Sequence, residues 1–142
     1  MNAHRVEARR WFRQARADLE VVRTLRAAGH YAAACFFGQQ AAEKALKAVL
    51  FAQGARIVLE HSVRELARQC AAHDPAFAAL ADEAALLDQF YIPTRYPNGL
   101  PAPAVPSEVY TEPQARAAQQ TAEEAIRVAE GFLRACGDVL EE

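Results

Sequence analysis

The chain has 142 residues, of which 52 % are apolar but only 8 % aromatic, and a net charge of −2. That length suits one domain with its own hydrophobic core, so no disulfide framework or structural metal is required for stability. The near-neutral balance excludes nucleic-acid binding driven by global charge and leaves only binding through a local basic patch.

The first predicted helix covers about residues 4–28. Trp11, Ala15, Leu19, Val22 and Leu25 recur at three- and four-residue steps, and Gly29 is a natural stop. Arg5, Arg9, Arg10, Arg13 and Arg16 crowd its start; they read as a charged solvent face, or as a patch that steers a phosphate-bearing partner. The second helix runs over about residues 31–53, ended by Gly54. It lines one face with Tyr31, Ala34, Cys35, Gly38, Ala41, Ala42, Ala45, Leu46 and Val49, small enough for a partner helix to approach closely.

After the loop "ARIVLEH", "SVRE" reads as a capping box, with Ser62 as N-cap and Glu65 reaching back. The third helix turns Val63, Leu66, Ala67 and Cys70 inward. "HDPAF" starts the fourth, with Asp74 as N-cap and Pro75 at the first helical position, and Phe77, Leu80, Ala81, Ala84, Leu87 and Tyr91 as its apolar face. Residues 92–110 hold five of the seven prolines and read as a long loop, a feature that is functional or disordered in a small domain. Thr111 caps the last helix, where Ala115, Ala118, Ala122, Ile126, Ala129, Phe132 and Cys136 repeat with helical period, and the ending "GDVLEE" is expected to fray. No segment alternates with period two. The expected fold is all-α: an antiparallel up-and-down bundle of about five helices, forming one domain over residues 1–142, with a proline-rich loop before the last helix.

The three cysteines, Cys35, Cys70 and Cys136, are far apart and odd in number, and read as buried hydrophobes in a reducing compartment. The arginine-rich start has no secretory h-region, and no apolar run approaches a membrane span, so the expected location is the cytoplasm.

Four features carry candidate chemistry. Gln39, Gln40, Glu43, Lys44 and Lys47 form a polar row on the second helix, with Glu43 and Lys47 spaced to pair across one turn. The row reads as a solvated stripe or, alternatively, as the lining of a cleft or dimer interface. His61, just before the third helix, is either a packed capping-region histidine or a neutral base beside an anion-attracting helix end. Arg95 and Tyr96 in the proline-rich loop can bind phosphate and stack on a base, or the arginine pins the loop to a helix C-terminus. Asp82, Glu83 and Asp88 share a helix with no histidine at ligand spacing, so no metal site or cofactor is expected; glycine-rich phosphate loops and nucleophile elbows are missing from the sequence.

The stretches "ARADLEVVRTL" (15–25), "GHYAAACFFGQQAAEKALKAVL" (29–50), "EHSVREL" (60–66) and "DQFYIPTRYPNG" (88–99) resemble the HEPN family, the "higher eukaryotes and prokaryotes nucleotide-binding" domains. The resemblance spans nearly the whole chain. It implies a helical bundle that dimerises and that works beside a minimal nucleotidyltransferase in toxin–antitoxin-like pairs. It places nucleotide or RNA-phosphate contacts at Gln40, Glu43, Lys44, Lys47, His61, Arg95 and Tyr96. Many relatives are metal-independent ribonucleases with an arginine followed after four to six residues by a histidine. Here no histidine follows Arg95, and the last one is His73. Arg56 and His61 fit the spacing but lie in the loop before the third helix. The leading expectation is therefore a binding module that is not itself an enzyme. A ribonuclease using His61 or Arg95, and a purely structural interaction bundle, are the alternatives.

Overall fold

A computed structural model describes residues 2–137 and 139–140; of the expected fraying end, residues 138, 141 and 142 lie outside the described residues. The chain forms α1 (Ala3–Ala27), α2 (Tyr31–Ala52), α3 (Val63–Ala71), α4 (Ala76–Asp88), the short α5 (Pro106–Val109) and α6 (Glu112–Ala135). No strand occurs among the described residues. The bundle is as expected, with one extra short helix inside the proline-rich segment.

The two-glycine punctuation of the first hairpin is real. Gly29 and Gly54 take φ of +86° and +101°, the left-handed region that ends a helix cheaply only at glycine. α2 is the central element and packs against α1, α3, α4, α5 and α6. That position explains its alanines, and also Gly38, where an added Cβ would stand 3.2 Å from both the Cβ and the carbonyl oxygen of Ala118 on α6.

Several local expectations are corrected. The polar row of α2 is not simply a solvated stripe: Gln39, Glu43 and Lys47 are buried, at 0, 4 and 3 % exposure, while Gln40 and Lys44 are half-buried. A helix enclosed on most sides has no broad solvent face to give them. The α4 start is shifted by one residue, but Asp74 still caps it by accepting from the Ala76 N–H at 2.9 Å. The Ser62 cap forms with the Glu65 N–H at 3.1 Å, while Glu60, not Glu65, accepts from the Ser62 N–H. Thr111 caps α6 with a full reciprocal box through Gln114.

Residues 92–110 are not structureless. They contain a 3-10 turn (Pro97–Gly99) and α5, and Thr94 is buried with its hydroxyl donating to the Phe90 carbonyl at 2.6 Å. Cys35 and Cys70 are buried in the core as expected; Cys136 is only half-buried. The basic start of α1 is not simply a solvent face, because Arg5 and Arg9 donate to the carbonyls of Cys136 and Val139 at 3.2 and 2.9 Å. Those contacts hold the chain beyond α6, where Val139 is 1 % exposed.

Candidate functional site

Burial forces the α2 polar row to satisfy itself. Lys47 Nζ lies 3.2 Å from Glu43 Oε2, the expected one-turn pair, and over the Trp11 ring at 5.4 Å. The Gln39 amide donates to Glu43 Oε1 at 3.1 Å and to the His61 carbonyl at 3.0 Å. Gln40 in turn donates to Gln39 Oε1 at 2.7 Å. His61 completes the cluster, with Nδ1 3.3 Å from Glu43 Oε1. With Nδ1–H turned to the carboxylate, Nε2 is left as the acceptor, and the side chain is 55 % exposed.

The His61 ring stacks on Tyr91, with centroids 5.2 Å apart and planes 18° from parallel, and Tyr91 stacks in turn toward Phe36 of α2 at 6.5 Å. Arg95 closes this ladder. Its guanidinium carbon lies 4.3 Å from the Phe36 centroid, 5.0 Å from Tyr91 and 5.3 Å from Tyr96. Its Nε donates to the Tyr91 carbonyl at 2.9 Å, just past the end of α4. Arg95 thus fastens to the turn three residues beyond α4 and not to the helix C-terminus itself, and it also presents a cation on aromatic faces. No carboxylate pairs with it among the described residues.

The structure therefore joins Gln40, Glu43, His61, Arg95 and Tyr96 through continuous contacts; Lys47 touches this set only through its buried pair with Glu43, and Lys44 pairs with Asp18 on α1 instead. Lys47 is enclosed between Glu43 and Trp11, so no ligand meets it. Lys44, one turn beyond Gln40, reaches toward α1, where its Nζ lies 2.5 Å from Asp18 Oδ2, a buried carboxylate that also accepts from Gln14 at 2.9 Å. Glu43, a negative group already engaged with three side chains, orients its neighbours and is a poor contact for an anion.

The helix end after His61 is not an open anion site. Asp88 occupies it: Oδ1 accepts from the Val63 N–H at 2.6 Å, and Oδ2 from the Ser62 hydroxyl at 2.8 Å and the Arg64 N–H at 3.3 Å. A carboxylate from within the chain meets the positive end of the α3 dipole. This clamp brings the segment before α3 to the segment after α4, which is how His61 meets Tyr91. Sequence reasoning missed Asp88 in this role and placed Tyr91 only in the core. No local signal in the sequence pointed to this role, because the groups Asp88 caps lie 24 to 26 residues earlier in the chain. No group of three or more metal-ligating side chains occurs among the described residues, and no helix among them is long and apolar enough to cross a membrane.

An α-helical bundle whose central helix carries a buried amide–carboxylate–lysine row, flanked by a histidine and a proline-loop arginine, is the class of protein defined here. The HEPN-domain family model matches residues 8–139, and the chain belongs to the HEPN family. Among solved structures, it is similar to TT1696 from Thermus thermophilus, at 36 % identity and a TM-score of 0.78, over 89 % of this chain and 98 % of that one. An archaeal HEPN homologue matches at 34 % identity and a TM-score of 0.72, over 88 and 96 % of the two chains. A HEPN domain protein from Thermotoga maritima matches at 30 % identity and 0.53, over 94 and 98 %. Curated proteins returned no match.

Proposed function

We propose that this HEPN-domain protein is a nucleotide- or RNA-phosphate-binding module that acts as a homodimer beside a minimal nucleotidyltransferase, in a toxin–antitoxin-like pair. One observation supports the binding part of this reading above the others: Arg95, exposed and without a carboxylate partner among the described residues, lies on the faces of Phe36, Tyr91 and Tyr96, while the dimer and the nucleotidyltransferase partner rest on the family resemblance alone. A guanidinium held this way offers paired N–H donors to phosphate, and Tyr96, 50 % exposed, offers a ring face to a base. Fluorescence anisotropy with a labelled adenine nucleotide and a labelled unstructured RNA tests it. Arg95→Ala should weaken binding by roughly tenfold, the value of one exposed charge-assisted contact; unchanged affinity sinks the role of Arg95.

The Glu43–His61 contact favours a second reading, a metal-independent ribonuclease. His61 Nε2 would take the proton of a ribose 2′-OH as that oxygen attacks the adjacent phosphorus. The bond to the 5′-oxygen then breaks, the leaving oxygen takes up a proton, and Arg95 stabilises the charge on the phosphate. RNA cleavage in EDTA that is lost in His61→Ala would establish this reading over the first.

A further inference from the structure

Although most of α2 is enclosed, one line of it stays open. Phe36, Gln40 and Lys44 are each half-buried, at four-residue steps that place them along one face of the helix. The line is about 12 Å long at 1.5 Å per residue. Arg95 and the His61–Tyr91 ladder flank its Phe36 end. The Lys44 end opens into a shallow groove of about 400 Å³ between α1 and α2, lined by Glu7, Arg10, Trp11, Gln14 and Lys44. Arg13 extends the same wall of α1 beside Arg10 and Gln14.

This second end also sets cations beside a ring, although here Arg10 and Lys44 each have a carboxylate neighbour. Trp11, stacked on Phe51 at 5.5 Å, is a fixed ring in the groove. Lys44 is a fixed cation, because Asp18 holds its ammonium at 2.5 Å. Arg10 is 72 % exposed and, among the described residues, tied only to Glu7, a surface pair weak enough to yield its guanidinium to a phosphate. Between the two ends lies Gln40, an amide and not a charge.

Resting on the binding reading above, we infer that the site is an extended track for single-stranded oligonucleotide, with a second phosphate subsite at Arg10 and Lys44 and Trp11 as its ring platform. A mononucleotide fills only the Arg95 end. A duplex keeps its base faces stacked inside and cannot offer them to Tyr96 and Trp11. An acidic peptide would meet the cations and leave the rings unused.

Trp11 is the only tryptophan, so its emission reports on the groove directly. Labelled AMP, a labelled single-stranded ribohexamer, a blunt RNA duplex and a hexaglutamate peptide would be titrated in EDTA against wild type, Arg10→Glu, Lys44→Gln and Arg95→Ala. The hexamer should bind roughly tenfold tighter than AMP, quench Trp11 where AMP does not, and show a salt slope steeper by about 0.7 per added phosphate contact. Arg10→Glu should remove that gain for the hexamer and leave AMP unchanged; Lys44→Gln should do the same to a smaller degree. Arg95→Ala should weaken both ligands. Equal binding of AMP and hexamer without quenching overturns the track and keeps the Arg95 site. Duplex or hexaglutamate binding as tight as the hexamer also overturns it. Binding of neither AMP nor hexamer to wild type removes the binding reading and the track together.

Discussion

Asp88→Ala isolates the clamp that brings His61 to Tyr91. The substitution removes the acceptor of the Val63 N–H at 2.6 Å, the Arg64 N–H at 3.3 Å and the Ser62 hydroxyl at 2.8 Å. It also removes the one carboxylate at the positive end of α3 that comes from another helix. Ser62 still caps the Glu65 N–H, so the helix end is not stripped bare. Losing a cap of this kind costs about 1 kcal/mol, and losing the charge from a half-buried helix end adds about 1 more, giving roughly 2 kcal/mol. At roughly 2.1 cal/mol/K per residue over 142 residues, that loss lowers Tm by about 7 °C. Differential scanning calorimetry measures it, with Asp88→Asn as companion, since asparagine keeps an acceptor but no charge and should recover about half of the loss. A shift under 2 °C in Asp88→Ala would refute the clamp as a stabilising contact.

Glu43→Leu strands Lys47 in the core and should cost roughly 3–5 kcal/mol in urea unfolding, whereas Glu43→Leu with Lys47→Met should recover most of it; a double variant no more stable than the single would refute the pairing as the reason both are buried. Gly38→Val sets a larger side chain against Ala118 and should destabilise by roughly 1–3 kcal/mol through the α2–α6 contact, read by thermal melting. Burial pushes the Cys35 and Cys70 thiols up to about 12, so thiol titration of the native protein at pH 8 should modify Cys136 alone, and all three only after unfolding.

The bundle was legible because its signals are local. Glycine stops at Gly29 and Gly54, caps at Ser62 and Thr111, and apolar steps of three and four each act within one or two turns. What was not legible depends on distance across the fold. Asp88 caps a helix that begins 25 residues earlier, and nothing in its own neighbourhood distinguishes it from Asp82 or Glu83. The polar row of α2 has a helical spacing that is the same whether the row is solvated or enclosed. Only the number of helices packed around α2 decides between the two, and that number is a property of the whole chain. The Arg95 site was half legible: Arg95 and Tyr96 were visible, while Phe36, given no role, and Tyr91, placed on the apolar face of the fourth helix, turned out to be the surface on which the arginine rests.

The buried row ties these two kinds of information together. Glu43 touches His61 on one side and Lys47 on the other, and Lys47 touches Trp11. The candidate site near Arg95 and the groove near Arg10 are therefore joined through two core side chains. Loss of binding in a Glu43 variant could come from a freed His61, from a shifted Trp11 or from partial unfolding, so such a variant cannot assign function by itself. Substitutions at the exposed ends reduce this ambiguity, because Arg10 and Arg95 pair with neither Glu43 nor Lys47. Comparing their effects on AMP and on a hexamer reads the site without disturbing the core that builds it.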